Sequence, residues 1–575
     1  MDQKTEPAAA GADRVVDLLV FGAGAGGMTA ALVAAQQGLD VLLCEKTAMV
    51  GGITSTSGGT IWVPGTEQSR RDGVADSAED ARQFLQAVVG DRGGDRLREA
   101  FLSSGAEALA ELEATSEVKL AAAKAHPDYV PGPGAAYGGR ALAPLEFDGR
   151  LLGADFARVR PPRPEFMGLG GMMVTRTELA PLLAPLASAA NLRTVLSLLW
   201  RYGRDRLRHK RGTRLVMGNA LAARLLYSLR KQGVKIAFET GVAELVLEDG
   251  NVVGAIVNGS GGRQTIHARR GVVLATGGIA QNAALRERLF PAAARATSLA
   301  PETNTGDGVS LAEAIGAAVD DGHDSPALWM PTSRMGRSNG PDALWPHIIL
   351  DRAKPGLFAV NSAGRRFVNE ANSYHDFVMG MLKSHETVPS VPAHLICDAS
   401  FIRDFGLGLV LPGARGLKAM LRHGYIVEAP TLEALAGKIG VDPTGLADTA
   451  ADYNRYAASG VDEEFGRGST VVNRFNGDPE CKPNPCLRPV GPGPFYAVAV
   501  EPADLACSAG LRGDEDGRVL DAKGNPIRGL YACGNDLTSI FRGTYPGPGT
   551  TLGPAIVFGW RVAKGIAAGQ ALPQI

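Results

Sequence analysis

Short apolar runs that close on glycine recur along this chain, and their lengths predict buried strands rather than helices. Residues 15–21 form one such run and pass directly into Gly22-Ala23-Gly24-Ala25-Gly26-Gly27. An apolar helix is predicted from there to Gln37, then a second strand over 40–44 that ends on Glu45. Residues 271–275 predict a further strand closing on Thr276-Gly277-Gly278, and 529–533 another closing on Gly534-Asn535. Two helices are expected behind glycine loops: 309–315 after Thr305-Gly306-Asp307-Gly308, and 555–567 after the loop Tyr545-Pro546-Gly547-Pro548-Gly549. In the middle of the chain, 357–361 and 364–370 predict a hairpin. A helix over 191–214 gathers its leucines with Trp200 and carries Arg201, Arg204, Arg206, Arg208, Lys210 and Arg211 near its end. It reads first as a solvated face over a packing stripe, and second as a helix lying on a membrane surface. No internal repeat is visible.

Length and composition narrow the class. A chain of 575 residues exceeds one core and implies two or three domains. With 45% apolar and 21% charged residues it is ordinary globular material, and a net charge of −1 gives no electrostatic argument for nucleic acid. The 74 glycines have no fixed period, which points to tight turns and close backbone approaches to a ligand. Six dispersed cysteines without CxxC or histidine partners read as free thiols. Residues 1–13 contain no apolar signal segment and no run of 18 apolar residues occurs, so the expectation is a cytoplasmic protein without a membrane span.

Chemistry starts with the glycines. Gly22, Gly24 and Gly27 fit the dinucleotide fingerprint, and here strand, glycines, helix, second strand and terminal acid follow in order. Glu45 stands where a carboxylate grips a ribose hydroxyl. A second loop of small residues, 51–59, contains Gly52, Thr54, Ser55, Gly58 and Gly59 and suits a backbone wrapped around a pyrophosphate. The C-terminal Tyr-Pro-Gly-Pro-Gly loop opens a helix, where free N–H groups stabilise negative charge such as a reduced flavin or an enolate.

These loops together resemble the FAD-binding half of the fumarate reductase and 3-ketosteroid dehydrogenase flavoprotein superfamily over nearly the whole chain. The resemblance implies an α/β fold: a split Rossmann-type FAD-binding domain, residues 14–325 and 500–575, with an inserted α+β substrate-capping domain at 326–499. It extends the flavin contacts to Gly277, Asp307, Gly534, Asn535, Thr551 and Leu552. Asp307 is read as a turn and helix-cap residue rather than a catalyst. The flavin is expected to be non-covalent, because residues 49–65 hold no histidine.

Arg366-Phe367-Val368-Asn369-Glu370 matches the fumarate reductases, but Tyr374 stands where their proton-donating arginine would be. Trp329-Met330-Pro331-Thr332 has methionine in place of their carboxylate-binding histidine, and Tyr545 to Thr550 replaces their C-terminal arginine motif. A buried dianion without these cations would face several kcal/mol of desolvation per charge, which excludes fumarate chemistry. Tyr374 with Tyr545-Pro546-Gly547-Pro548-Gly549 is similar to the 3-ketosteroid Δ1-dehydrogenases. The resemblance implies Tyr374 as the base, Tyr545 and the Gly549 N–H as holders of the C3 carbonyl oxygen, and Tyr129 as a supporting tyrosine, with Tyr137 its competitor.

The chemistry such residues suit is removal of two hydrogens from adjacent carbons beside a ketone: hydride from C1 to flavin N5 and a proton from C2 to Tyr374. Each donor aimed at the developing oxyanion is worth roughly 3 kcal/mol. A phenol with pKa about 10 is ionised to about one part in a thousand at pH 7, a cost of roughly 4 kcal/mol, so an alkaline rate optimum is expected. A 3-ketosteroid substrate, a quinone or other electron acceptor, and peripheral membrane contact are the expected partners. Alternatives are a 3-ketosteroid Δ4-(5α)-dehydrogenase, a flavin enone reductase, and a flavin electron-transfer module.

Overall fold

The computed structural model describes residues 14–348 and 351–569; the polar leader 1–13, where no signal segment was expected, lies outside the described residues. The strand Arg14–Phe21 is central in an eight-stranded sheet, parallel to Val41–Cys44 on one side and to Gly262–Leu274 on the other. Pro526–Ala532 adds parallel to Gly262–Leu274, bringing the C-terminal segment beside the N-terminal one. Near-continuous apolar runs suit strands buried on both faces. Helix Ala25–Gln36 packs against the C-terminal helix Leu552–Ala568.

A second, mainly antiparallel sheet of seven strands is built around Phe495–Cys507. The first part of that strand pairs with Ala393–Asp398, and its second part with Ala327–Met335. The expected boundary at 499/500 therefore falls inside one continuous strand. Leu357–Val360 pairs with Ala393–Asp398, not with the residues that follow it. The expected hairpin over 357–370 is instead a strand, a tight turn closed by the Asn361 N–H on the Arg365 carbonyl (3.0 Å), and an irregular segment. Buried ion pairs outcompete the ladder there: Glu370 receives Arg366 (2.8 Å) and Arg467 (2.9 Å), and Arg366 also reaches Asp462 (2.9 Å).

The arginine-rich helix spans Ala189–Arg206, shorter than expected, and its leucines other than the buried Leu198 face outward rather than forming a packing stripe. All six cysteines are free.

Candidate functional site: a nucleotide cradle opening on three tyrosines

The nucleotide end is shaped by backbone. Gly22 has φ +100°, and a Cβ there would lie 2.1 Å from the Ala275 carbonyl oxygen. Gly27 lets the first helix close on the strand, since its Cβ would meet the Gly22 oxygen at 2.0 Å. The N-cap residue Gly24 has no side chain to cap helix Ala25–Gln36, and the Ala25 N–H donates instead to Thr54 Oγ1 (3.1 Å). Around this helix start runs a cavity lined by Gly22, Gly24, Glu45, Gly52, Thr54, Gly277, Asp307, Gly534, Asn535, Thr551 and Leu552. Four other residues read from the sequence do not line it. Gly27 is a packing glycine, Ser55 is buried against Gly51, Gly59 packs on the backbone of Met217 and Gly218, and Gly58 faces open space.

Individual side chains brace the cradle. Glu45 accepts from the Ala23 N–H (3.0 Å) and the Thr47 N–H (2.9 Å), fixing the glycine loop. Asp307 begins its helix and pairs with Lys46 at 2.7 Å. Asp536 accepts from Thr276 Oγ1 (2.8 Å) and the Gly278 N–H (2.7 Å), tying the C-terminal segment to the loop at 276–278. Lys46 and Arg160 line the cavity without having been foreseen. Arg160 follows no motif and arrives through its N–H bond to the Val50 carbonyl (3.0 Å).

Three tyrosines from distant segments converge beyond this cradle. The Tyr374 hydroxyl donates to the Tyr545 hydroxyl at 2.8 Å. The Tyr129 ring stacks on that of Tyr545 (centroids 5.6 Å, 17°) and meets Tyr374 edge-on at 5.6 Å. Tyr129 is 9% exposed and its N–H donates to the Pro546 carbonyl at 2.8 Å, whereas Tyr137 is 58% exposed. The two loops are further joined by Trp62, whose Nε1 donates to Asp128 Oδ1 (2.8 Å) and whose N–H donates to the Gly549 carbonyl (3.2 Å). Gly549 has φ +96° and a Cβ there would lie 2.6 Å from Thr60 backbone; its own N–H engages no hydrogen bond among the described residues.

Tyr374 opens helix Tyr374–His385, whose N-cap Ser373 accepts from the Asp376 N–H at 3.1 Å. Leu299, Met330 and Leu505 pack around it, an apolar setting. Burial pushes all three phenols up: Tyr545 to about 12, and Tyr374 well above its ordinary value, helped by its phenolic neighbours Tyr129 and Tyr545. Tyr129 is raised by burial and opposed by the Tyr374 hydroxyl and by the charges of Arg176 and Arg352. His375, next to Tyr374, is buried; its Nδ1 accepts the Trp329 N–H (3.2 Å), and burial lowers it to about 4.

The residues present fit a flavin dinucleotide. The Gly52 backbone faces open space and a Cβ at Gly24 would meet only Thr54 Oγ1, at 3.9 Å. The helix start has Thr54 on its first N–H and no N-cap side chain, and the buried Arg160 Nε has no partner. An anion such as a pyrophosphate satisfies all three features. The FAD binding domain family matches residues 17–552. The chain belongs to this family of flavoproteins. It is 36% identical over 567 residues to the 3-oxosteroid 1-dehydrogenase of Mycolicibacterium smegmatis (96% of this chain, 97% of the relative). It is equally 36% identical over 557 residues to the 4-oxocyclohex-2-ene-1-carboxylate 5-dehydrogenase of Sinomonas cyclohexanicum (96% and 93%). Among solved structures, the 3-ketosteroid delta1-dehydrogenase from Sterolibacterium denitrificans, in complex with 1,4-androstadiene-3,17-dione, superposes with a TM-score of 0.89. It is 36% identical, over 96% of this chain and 100% of that one. The flavoprotein is therefore an FAD-dependent CH–CH dehydrogenase of the 3-oxosteroid dehydrogenase family.

Proposed function

We propose that the flavoprotein introduces a C1–C2 double bond into 3-ketosteroids. The observation that carries this reading is the 2.8 Å bond from the Tyr374 to the Tyr545 hydroxyl beside an unengaged Gly549 N–H. While protonated, Tyr374 spends its proton on Tyr545, which leaves the Tyr545 proton free for a ketone oxygen; once Tyr374 is ionised, Tyr129 is the phenol left to donate to it. Tyr545 and the Gly549 N–H then hold the oxygen on which charge develops, at roughly 3 kcal/mol per donor. FAD, when bound, supplies the hydride acceptor for C1. Tyr374 as phenolate takes the C2 proton, with Tyr129 the remaining phenol beside it. Leu299, Met330 and Leu505 offer an apolar wall suited to a steroid ring system. The phenols Tyr374 and Tyr545 carry no charge near neutrality, so the ionised base is a minor form and the rate rises with pH. The flavin is proposed to be non-covalent, and the cradle residues Gly22, Gly24, Glu45, Gly52, Thr54, Gly277, Asp307, Gly534, Asn535, Thr551 and Leu552 are proposed to hold it.

A second reading has its own observation. Arg176 lies over the Phe475 ring at 4.1 Å, Phe475 stacks on His126, and His126 lies 5.9 Å from Tyr129. Arg176 forms no ion pair among the described residues, so a cation stands unmatched near the phenols. A small cyclic ketone bearing a carboxylate would match it, the substrate chemistry named for the Sinomonas relative. Anaerobic mixing decides between them, following flavin bleaching and product mass. Androst-4-ene-3,17-dione should bleach the flavin and emerge two hydrogens lighter as the 1,4-diene. Bleaching only by 4-oxocyclohex-2-ene-1-carboxylate would establish the second reading. Bleaching only by a 5α-saturated 3-ketosteroid would make it a Δ4 enzyme.

A further inference from the structure

Residues 123–140 join two short strands, Leu120–Ala122 and Ala141–Pro144, with neither helix nor strand between them, yet they carry Tyr129 into the phenol cluster. One carboxylate shapes this loop. Asp128 is 6% exposed. Its Oδ2 accepts from the Ala136 N–H (2.9 Å) and from Arg140 Nη1 (2.7 Å), and its own N–H donates to the Ala136 carbonyl (2.8 Å). Arg140, also buried, reaches Asp76 through Nη2 (2.8 Å) and donates to the Gly134 carbonyl (2.9 Å). Buried ion pairs of this kind contribute little net stability, because desolvation offsets their attraction. What this one supplies is a fixed geometry.

That geometry reaches the Tyr545–Gly549 loop through Trp62. Asp128 Oδ1 accepts the Trp62 Nε1–H (2.8 Å), and the Arg140 guanidinium lies 5.4 Å from the centre of the same ring. The Trp62 N–H (3.2 Å) and the Gly553 N–H (3.0 Å) both donate to the Gly549 carbonyl. Gly547 lies against the Trp62–Asp128 bond, where a Cβ would stand 2.6 Å from Nε1 and 2.8 Å from Oδ1. One residue earlier, the Pro546 carbonyl is held by the Tyr129 N–H (2.8 Å). The loop is thus fastened on both sides of the Gly549 N–H and directly after Tyr545. Apart from the Gly553 bond, each fastening runs through Trp62 or through the adjacent residues Asp128 and Tyr129.

We propose that Asp128 is a positioning residue: backed by Arg140, it aims the Gly549 N–H and the Tyr545 hydroxyl at one ketone oxygen and keeps Tyr129 stacked on Tyr545. It touches no reacting atom itself. The proposal rests on the reading that Tyr545 and Gly549 hold a ketone oxygen, and it is the same for a steroid or a small cyclic ketone. Asp128→Asn keeps an acceptor for Trp62 but turns an amide NH2 toward Arg140 and the Ala136 N–H, so that donors face donors. A misplacement of about 1 Å at the carbonyl donors is enough to cost about 10²-fold in rate.

The test is anaerobic single-turnover flavin reduction in the FAD-loaded protein. The ketone is whichever of androst-4-ene-3,17-dione and 4-oxocyclohex-2-ene-1-carboxylate the wild type oxidises. Asp128→Asn should keep its flavin and lose about 10²-fold in limiting rate, with the half-saturating ketone concentration unchanged. Asp128→Glu, which keeps the charge but moves the carboxylate, should not restore the rate. Trp62→Phe, which keeps a ring and the backbone bond to Gly549, should fall in the same direction by less. Added to Tyr545→Phe, Asp128→Asn should slow the reaction by no more than about fivefold beyond the slower single variant, because both act on the same donors. Losses that multiply in the double variant overturn the proposal. So does a loss that tracks flavin content or saturation alone, or a wild-type rate in Asp128→Glu. Should Asp128→Asn not fold, a wild-type rate in Trp62→Phe overturns it equally. Wild-type protein whose flavin neither ketone reduces is a separate failure: it overturns the reading of Tyr545 and Gly549, and the positioning role with it.

Discussion

The nucleotide cradle and the tyrosine cluster adjoin one another but are built in opposite ways. The cradle is backbone: Gly22 and Gly27 sit where any Cβ would strike a carbonyl oxygen far inside van der Waals contact, at 2.1 and 2.0 Å. The cluster is side chain: three phenols from residues 129, 374 and 545 whose spacing depends on the packing of three segments. A backbone site tolerates no added atom but is indifferent to hydroxyls, whereas a side-chain site accepts an isosteric ring yet depends on each hydroxyl it loses.

The largest effect that would break this contrast lies in the cradle. Gly22→Ala adds one methyl at φ +100° against the Ala275 carbonyl and should yield protein purified without flavin, read by the absence of yellow absorbance. A yellow, active Gly22→Ala protein would show the cradle to be more pliant than its geometry. Next is Tyr545→Phe, which keeps the ring stacked on Tyr129 and should retain the flavin while slowing turnover about 10²–10³-fold. A fall in flavin content instead would merge the two regions into one unit.

Acid sharpens the comparison through stability. His375 and His323 are held neutral, each lowered by burial to about 4 from 6.5. The unfolded chain binds their protons first, so their contribution is complete above pH 6.5 and is lost as pH falls from 6.5 towards 4, up to about 3 kcal/mol each. Unfolding midpoints measured across that window should fall, and less steeply in His375→Gln. The smallest effect concerns Arg176, whose charge favours ionised Tyr129. Arg176→Ala should move the alkaline limb of the pH–rate profile upward by about half a unit and, on the carboxylate reading, raise KM for the acidic ketone about tenfold.

The same contrast explains what was legible in the sequence. The cradle is local: strand, glycines, helix and acid follow one another, so Gly22 to Glu45 was readable from spacing. The tyrosines were readable only by resemblance, because nothing in the chain near Tyr129 says that its N–H will meet Pro546. Arg160 was invisible, as its backbone is placed at the cavity by Val50 and the distant Asn219 rather than by any local pattern. The segment after Val360 was misread as a hairpin partner because a run such as Phe367-Val368 carries strand propensity, while the pull of Asp462 and Arg467 on Arg366 and Glu370 is not local. The helix at 189–206 was recognised, but only burial shows which way its leucines point.

The central claim is that Tyr374 removes a proton from a ketone held by Tyr545 and Gly549. Its most direct test is single-turnover flavin reduction by androst-4-ene-3,17-dione in Tyr374→Phe, under anaerobic conditions and with matched flavin content. The account predicts a rate lowered about 10³–10⁴-fold with the cofactor still bound. Reduction within about tenfold of the wild-type rate would contradict it.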